Sequence, residues 1–236
     1  MALNTPYGSR RGAAAYALPD ERAGFIRKTY AHLAGAILAF VLLEVAIFST
    51  PAVRDTLAGL LTQSWLLTLA LFIGASWIAD RWARSDASRG LQYVGLGVYV
   101  VLQALIFVPL LYIATISIND PTLVPTAGII TGALFLGLTA VVFTTGADFS
   151  FLRGAIILGS LVALGLIVAS LLFGFSLGVI FSVAMVGLAA ASILYSTSNV
   201  LHYYRTDQYV AASLSLFAAV ALLFYYVLRI LIAMRR

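Results

Sequence analysis

The feature that most constrains the fold is a series of long apolar segments that fill most of the 236-residue chain. Crossing a bilayer core takes about 20 apolar residues in a helix, and apolar runs that are continuous rather than alternating favour helices over a β-barrel. Hydrophobic residues make up 62% of the sequence and charged residues 10%, far from the composition of a soluble domain. The sequence therefore predicts an all-α, multi-pass membrane protein embedded in a lipid bilayer.

Seven segments are predicted to cross the membrane as one bundle that occupies residues 25–236. They run roughly from Phe25 or Tyr30 to Ser49, Leu57 to Ala79, Leu91 to Ser117, Val124 to Gly146, Leu152 to Phe173, Leu177 to Asn199, and Tyr209 to Ala233. Residues 1–24 are polar and are predicted to form a flexible cytoplasmic tail. This tail is either a passive segment or a handle that another protein grips.

The basic residues indicate how the bundle is oriented. Ten of the 14 Lys and Arg residues fall on the side of the N-terminus, which predicts a cytoplasmic N-terminus and an outer C-terminus. The net charge of +5 is explained by this topology, and no nucleic-acid binding is predicted. Because Arg235 and Arg236 oppose the bias, a six-span form with a re-entrant final segment and a cytoplasmic C-terminus is the alternative.

Few residues are suited to catalysis or metal binding. The chain has no cysteine, and its two histidines, His32 and His202, are far apart and lack neighbouring carboxylates. We therefore predict no catalytic residue, no metal and no cofactor. Glu44 lies fourteen residues after Tyr30, or about 21 Å along the first span. It either handles protons or cations, or it pairs with Arg54 or a backbone donor near the outer interface.

Two polar clusters lie on the predicted inner face. The turn Thr144–Phe151 contains Asp148, which is placed to cap the following helix. The second cluster, Ile193–Tyr209, is called the elbow below. Its polar residues of interest are Ser196, Thr197, Asn199, His202, Arg205 and Asp207. The first three of these are predicted to hydrogen-bond across helices, and a ligand site is the alternative.

The last predicted helix carries a stripe of small residues. Ala211, Ser215 and Ala219 recur at every fourth position, which allows neighbouring helices to approach closely within a bilayer. This spacing predicts that the last helix lies inside the bundle, with the elbow closing the bundle at one membrane face.

Two stretches carry a resemblance to a known family. FTTGADFSFLRG (143–154) and ILYSTSNVLHYYRTDQYVAASLSLF (193–217) resemble the transmembrane Bax inhibitor motif family. The TSN triplet at 197–199 is most similar to the bacterial branch, whose best-known member modulates the FtsH protease in the inner membrane. The resemblance implies a seven-helix bundle with the last helix at its centre, in a bacterial inner membrane.

The resemblance also implies two alternative functions. One is non-enzymatic binding and modulation of an FtsH-type membrane protease. The other is a calcium or cation leak, which in some family members is gated by two aspartates. This chain has Ser196 and Ala219 at those two positions, and a carboxylate pair cannot titrate without carboxylates. Protease modulation is therefore the preferred function, with the partner's identity and the oligomeric state left open.

Overall fold

The structure, a computed structural model, describes residues 14–63, 65–83 and 88–235. Within these ranges the chain forms helices and turns without a strand. The helices are α1 Pro19–Ser49, α2 Pro51–Gln63, α3 Trp65–Ala83, α4 Arg89–Tyr112, α5 Leu123–Thr145, α6 Leu152–Phe173, α7 Gly178–His202 and α8 Tyr209–Met234. All but α2 and α3 are long and apolar enough to cross a membrane. The prediction of an all-α, multi-pass membrane protein is confirmed.

The predicted second span, Leu57 to Ala79, falls on two helices instead of one. α2 ends at Gln63 and α3 begins at Trp65, and residue 64 lies outside the described residues. α3 has 19 residues and carries Asp80 and Arg81 in its last turns. Over the described residues, six helices qualify as spans where seven were predicted, and α3 is not among them.

The first helix begins at Pro19, earlier than the predicted start at Phe25. Proline at the first helical position and the acids Asp20 and Glu21 in the first turn favour this start. Ala14–Tyr16 forms a short 3-10 turn, and the Ala14 N–H donates to the Tyr204 carbonyl over 2.8 Å. Residues 14–24 of the predicted tail are thus ordered beside the elbow, while residues 1–13 lie outside the described residues.

Local chemistry ends or bends several helices. Gly146 and Gly174 have positive φ angles of 60° and 71° and end α5 and α6, a role that glycine fills without steric cost. α6 ends at Phe173 and α7 begins at Gly178, so these two helices form a tight hairpin. Pro109 lies inside α4, which continues as a π-helical turn over Ile113–Ser117; a proline removes one backbone donor, and such a turn rearranges the hydrogen bonds that follow.

The last helix packs against α1, α3, α4, α5 and α7. Ala211 and Ala219 of the small-residue stripe are buried and Ser215 is half-buried. Since α8 is one uninterrupted helix of 26 residues, it does not fit the re-entrant alternative. α6, in contrast, has Ala163 as its one buried residue.

Aromatic rings join α1, α4 and α8 at mid-depth. The centroid of the Phe107 ring lies 5.1 Å from that of Phe40 and 5.5 Å from that of Phe224, and Phe40 lies 6.2 Å from Phe217. Each such pair contributes about 0.5–1.5 kcal/mol beyond its burial. These rings fix the relative depth of the three helices.

Candidate functional site

Ser198 ties the loop between α5 and α6 to the end of α7. Its side chain is fully buried, and its hydroxyl oxygen accepts the Phe149 N–H over 2.9 Å. The same oxygen lies 3.4 Å from Asp148 Oδ1 and 3.4 Å from His202 Nδ1. The two polar clusters predicted from the sequence are therefore one connected site.

Asp148 is exposed and forms the outer part of this site. Its carboxylate accepts the Tyr203 hydroxyl over 2.5 Å and the Ser150 N–H over 2.9 Å. Partial burial raises the pKa of the Asp148 carboxyl, but the hydrogen bonds from Tyr203 and Ser150 and the charge of His202 outweigh it, so the net pKa is below its ordinary value.

The prediction that Asp148 caps the following helix is wrong. The N-cap residue of α6 is Phe151, and it makes no side-chain capping bond. A turn separates Asp148 from the helix, so its carboxylate reaches the Ser150 N–H ahead of the helix. Its strongest tie is instead to Tyr203 beyond the end of α7.

His202 and Ser198 do not form a nucleophile and its base. His202 Nδ1 lies 3.0 Å from the Ser198 carbonyl oxygen. Because a carbonyl oxygen can only accept, Nδ1 carries the proton in this bond and cannot take one from the Ser198 hydroxyl. The Asp148 carboxylate is bonded to Tyr203 rather than orienting the imidazole. Serine, histidine and aspartate thus meet here without the geometry of a catalytic triad.

Arg205 and Asp207 form a local ion pair in the loop between α7 and α8. Arg205 Nε lies 3.0 Å from Asp207 Oδ1, and Nη2 lies 2.5 Å from Oδ2. The hydrogen bond from Arg205 and its charge lower the pKa of the Asp207 carboxyl, against a smaller effect of burial. Both side chains are about half exposed, so the pair contributes little to stability and remains accessible.

Of the cross-helix hydrogen bonds predicted for Ser196, Thr197 and Asn199, the described residues show a contact for Thr197 alone. Thr197 is fully buried and its hydroxyl faces the Tyr30 hydroxyl of α1, whereas the Asn199 backbone carbonyl accepts the N–H groups of Tyr203 and Tyr204. The neighbouring Ser198 makes the contact with the α5–α6 loop. Its spacing of four residues from His202 on one helix face was the signal in the sequence.

No three His, Asp or Glu side chains come together in a way that would hold a metal ion, as far as the described ranges extend. The site offers hydrogen-bonding groups and accessible charges, which suit contact with another molecule.

A family model described as "Inhibitor of apoptosis-promoting Bax1" matches residues 22–236. The chain belongs to this Bax inhibitor family. A search of curated proteins found no match. The matched region includes all eight helices except the first residues of α1.

The two positions at which the resemblance places the Bax inhibitor family's aspartates are both buried. Ser196 is 7% exposed and Ala219 is 4% exposed. Each holds a small uncharged side chain inside the bundle, so this pair of positions supplies no carboxylate for proton or cation binding.

Glu44 is the buried acid among the residues that the structure describes. It is 7% exposed, and neither carboxylate oxygen has a hydrogen-bond partner among the described residues. The predicted pairing with Arg54 is wrong, because Arg54 Nε binds Asp55 Oδ1 over 2.8 Å and its guanidinium lies 5.8 Å from the Tyr112 ring centroid. α2 begins directly at Pro51 and holds Arg54 beside α4 instead.

Proposed function

We propose that this Bax inhibitor family protein is a non-enzymatic partner of an FtsH-type protease, which it binds and modulates in a bacterial inner membrane. The motif that carries the resemblance to the bacterial branch is the elbow. The observation that carries the proposal is that this elbow is pinned by the buried Ser198 and yet presents accessible polar and aromatic side chains. A partner with a matching surface would bind such a platform without a large ordering cost.

The proposed topology is a seven-span bundle with a cytoplasmic N-terminus, an outer C-terminus and α8 at its centre. The burial of α8 and its packing against five other helices support the central position. The basic residues on the side of the elbow support the orientation. The seventh span in this topology is α3, which is not among the six helices that qualify by length and hydropathy over the described residues, but whose 19 residues come close to the about 20 that a bilayer core requires. The elbow then faces the cytoplasm.

The binding surface that we propose, called the elbow surface, consists of exposed side chains at this end of the bundle. They are Asp148, Phe151, Tyr203, Arg205 and Asp207. Phe151 is 73% exposed and Tyr203 is 47% exposed. Aromatic and arginine side chains are the residues that most often dominate binding energies at protein interfaces.

Co-purification from detergent extracts tests this proposal. The full chain should recover an FtsH-type protease or its companion proteins, and Phe151→Ala should lower recovery at least about fivefold, the effect of a 1 kcal/mol contact. Phe173→Ala is the matched control, since Phe173 is 80% exposed at the other end of α6. Recovery of no protease, or equal recovery with Phe151→Ala, would contradict the proposal.

The N-terminal segment is the proposed handle for the protease. The hydrogen bond from the Ala14 N–H to the Tyr204 carbonyl places Ala14, the first described residue, next to the elbow. We therefore propose residues 1–13, which precede it in the sequence, as the handle. Their deletion leaves α1 intact and should slow proteolytic turnover of the protein. Unchanged turnover would show that the segment is not the handle.

The second candidate function is a cation leak through the bundle, and the state of Glu44 favours it. An ionised carboxylate buried without partners costs several kcal/mol, which a bound cation or proton would offset. Gln103 Oε1 and Thr131 Oγ1 are also buried without partners among the described residues. Pro109 additionally lacks the N–H that would bond the carbonyl four residues earlier.

Calcium flux into proteoliposomes separates the two functions. If the bundle conducts, the native chain shows a pH-dependent flux that Glu44→Gln abolishes. Asp55→Asn is the matched control, because Asp55 is an exposed acid outside the bundle interior. A flux at background level for the native chain would leave protease modulation as the function.

A further inference from the structure

A groove of about 730 Å³ lies between α1 and α4 on the outside of the bundle. Small residues form much of its floor, including Gly35, Ala39 and Gly97, and Leu42 and Val101 border its far end. Gly35, Ala39 and Gly97 are exposed, and a Cβ atom added at Gly35 or Gly97 would meet no atom within 4 Å. The groove is therefore open toward the lipid.

One end of the groove is polar. His32 Nε2 lies 2.9 Å from the Tyr93 hydroxyl, which lies 3.4 Å from the Tyr209 hydroxyl. His32 Nδ1 lies 2.7 Å from the Lys28 carbonyl; a carbonyl can only accept, so Nδ1 donates there and Nε2 accepts from Tyr93. These groups therefore satisfy one another's hydrogen bonds at the end of the groove that is nearest the elbow.

Two cations flank this polar end. The Lys28 ammonium lies 5.7 Å from the Tyr209 ring centroid, and that ring lies 4.9 Å from the His32 ring. Arg89 begins α4, one turn before Tyr93, and interacts electrostatically with Tyr93. Among the described residues no acidic side chain lines the groove, and the acid that interacts electrostatically with Arg89, Asp207, lies outside it in the elbow. The groove thus joins a positively charged end to an apolar body.

The length of the groove fits one membrane leaflet. It follows α1 from Ala31 to Leu43, which is twelve residue-to-residue steps or about 18 Å at 1.5 Å per step. Half of the ~30 Å hydrocarbon core is about 15 Å. A ligand with an anionic head group and one apolar chain of about that length would match the groove in charge, polarity and length.

We propose that this groove binds an anionic phospholipid from the leaflet on the elbow side, with one acyl chain between α1 and α4 and the phosphate between Lys28 and Arg89. The exposed glycines leave room for the chain. The inference is independent of the protease partner and of cation flux.

Native mass spectrometry of the full chain in detergent tests the proposal with phosphatidylglycerol and phosphatidylcholine as probes. We expect retention of one phosphatidylglycerol with a preference over phosphatidylcholine of about tenfold or more, which is the effect of two basic groups near an anionic head group. Lys28→Gln with Arg89→Gln should abolish this preference, and Lys28→Arg should preserve it.

Groove-filling variants test the position of the acyl chain. Gly97→Leu places a side chain in the open groove and should abolish retention of the lipid. Gly137→Leu is the matched control, because Gly137 is an exposed helical glycine on α5 with nothing within 4 Å of an added Cβ. Thermal unfolding and gel filtration verify that both variants are folded.

Three results would overturn the proposal. In the first, the native chain retains the two lipids equally. In the second, Gly97→Leu retains the lipid as well as the native chain does. In the third, the native chain carries a bound partner protein that Gly97→Leu loses, while the lipid is still retained. The last would assign the groove to a partner helix, which small exposed residues also accommodate.

Discussion

Replacement of Ser198 by alanine should release the α5–α6 loop from α7. The substitution removes the fully buried oxygen that accepts the Phe149 N–H over 2.9 Å. An unpaired buried N–H costs about 1–3 kcal/mol. Phe149 is half-buried and water reaches part of this group, so we expect the lower part of that range, about 1–2 kcal/mol. The population of the open loop then rises about 5–30-fold.

Hydrogen–deuterium exchange of the full chain in detergent measures this change. Protection of the Phe149 amide and its neighbours should fall by the same factor of about 5–30 if exchange proceeds through local opening. Protection in the middle of α7 should stay unchanged, because the helix keeps its own backbone hydrogen bonds.

Ser213→Ala is the matched control for this experiment. Ser213 is also fully buried, but its hydroxyl donates to the Val210 carbonyl of its own helix over 2.8 Å. Ser213→Ala leaves the Val210 carbonyl without this donor, within α8, and should leave the α5–α6 loop protected from exchange. Unchanged protection at Phe149 in Ser198→Ala, or an equal loss in Ser213→Ala, would refute the assignment of Ser198 as the tie between the two elements.

The structure leads to further predictions. Tyr203→Phe removes a hydrogen bond to Asp148 and should raise the pKa of that carboxyl toward about 3.9, measured by 13C-NMR titration; an unchanged pKa would exclude this bond. In the native protein, the interactions that lower the pKa of the Asp148 carboxyl stabilise the loop. Their contribution is complete above about pH 3.9 and should be lost as the pH falls through the pKa of the folded protein. Proteolysis of the loop should therefore become faster in acid. Gly95→Ala should lower thermal stability by about 1–3 kcal/mol, because its Cβ would lie 2.6 Å from the Ala79 carbonyl oxygen of α3. Gly97→Ala meets no atom within 4 Å and should be neutral or stabilising, and equal melting curves for the two variants would exclude the close approach of α3 and α4.

Much of the fold was predictable because each helix that crosses a membrane requires a long apolar run in the sequence. Long apolar runs located the spanning helices. The start of α1 at Pro19 was also readable from its proline and acids. The division of the second span into α2 and α3 was not predicted, because the polar residues 62–64 interrupt the apolar run only briefly.

The candidate site was predicted in part. Asp148 and His202 were chosen as polar residues of interest and both lie 3.4 Å from the Ser198 hydroxyl. Ser198 itself was overlooked because three of its neighbours, Ser196, Thr197 and Asn199, are polar as well. Burial distinguishes Ser198 from Asn199, and burial depends on which face of α7 meets the α5–α6 loop. Glu44 was recognised as unusual, whereas its lack of a partner followed from the position of Arg54 beside Asp55.

The sequence by itself determined that this chain is a bundle of apolar helices and that it belongs to a family with a polar elbow before its last helix. These are local properties, since hydropathy and short motifs depend on residues that are neighbours along the chain. Only the tertiary structure decided that Ser198 bridges two elements, that Glu44 has no partner among the described residues, and that α1 and α4 leave a groove between them. Each of these depends on the rotation and separation of helices that are distant in sequence, which side-chain packing determines and no single segment encodes.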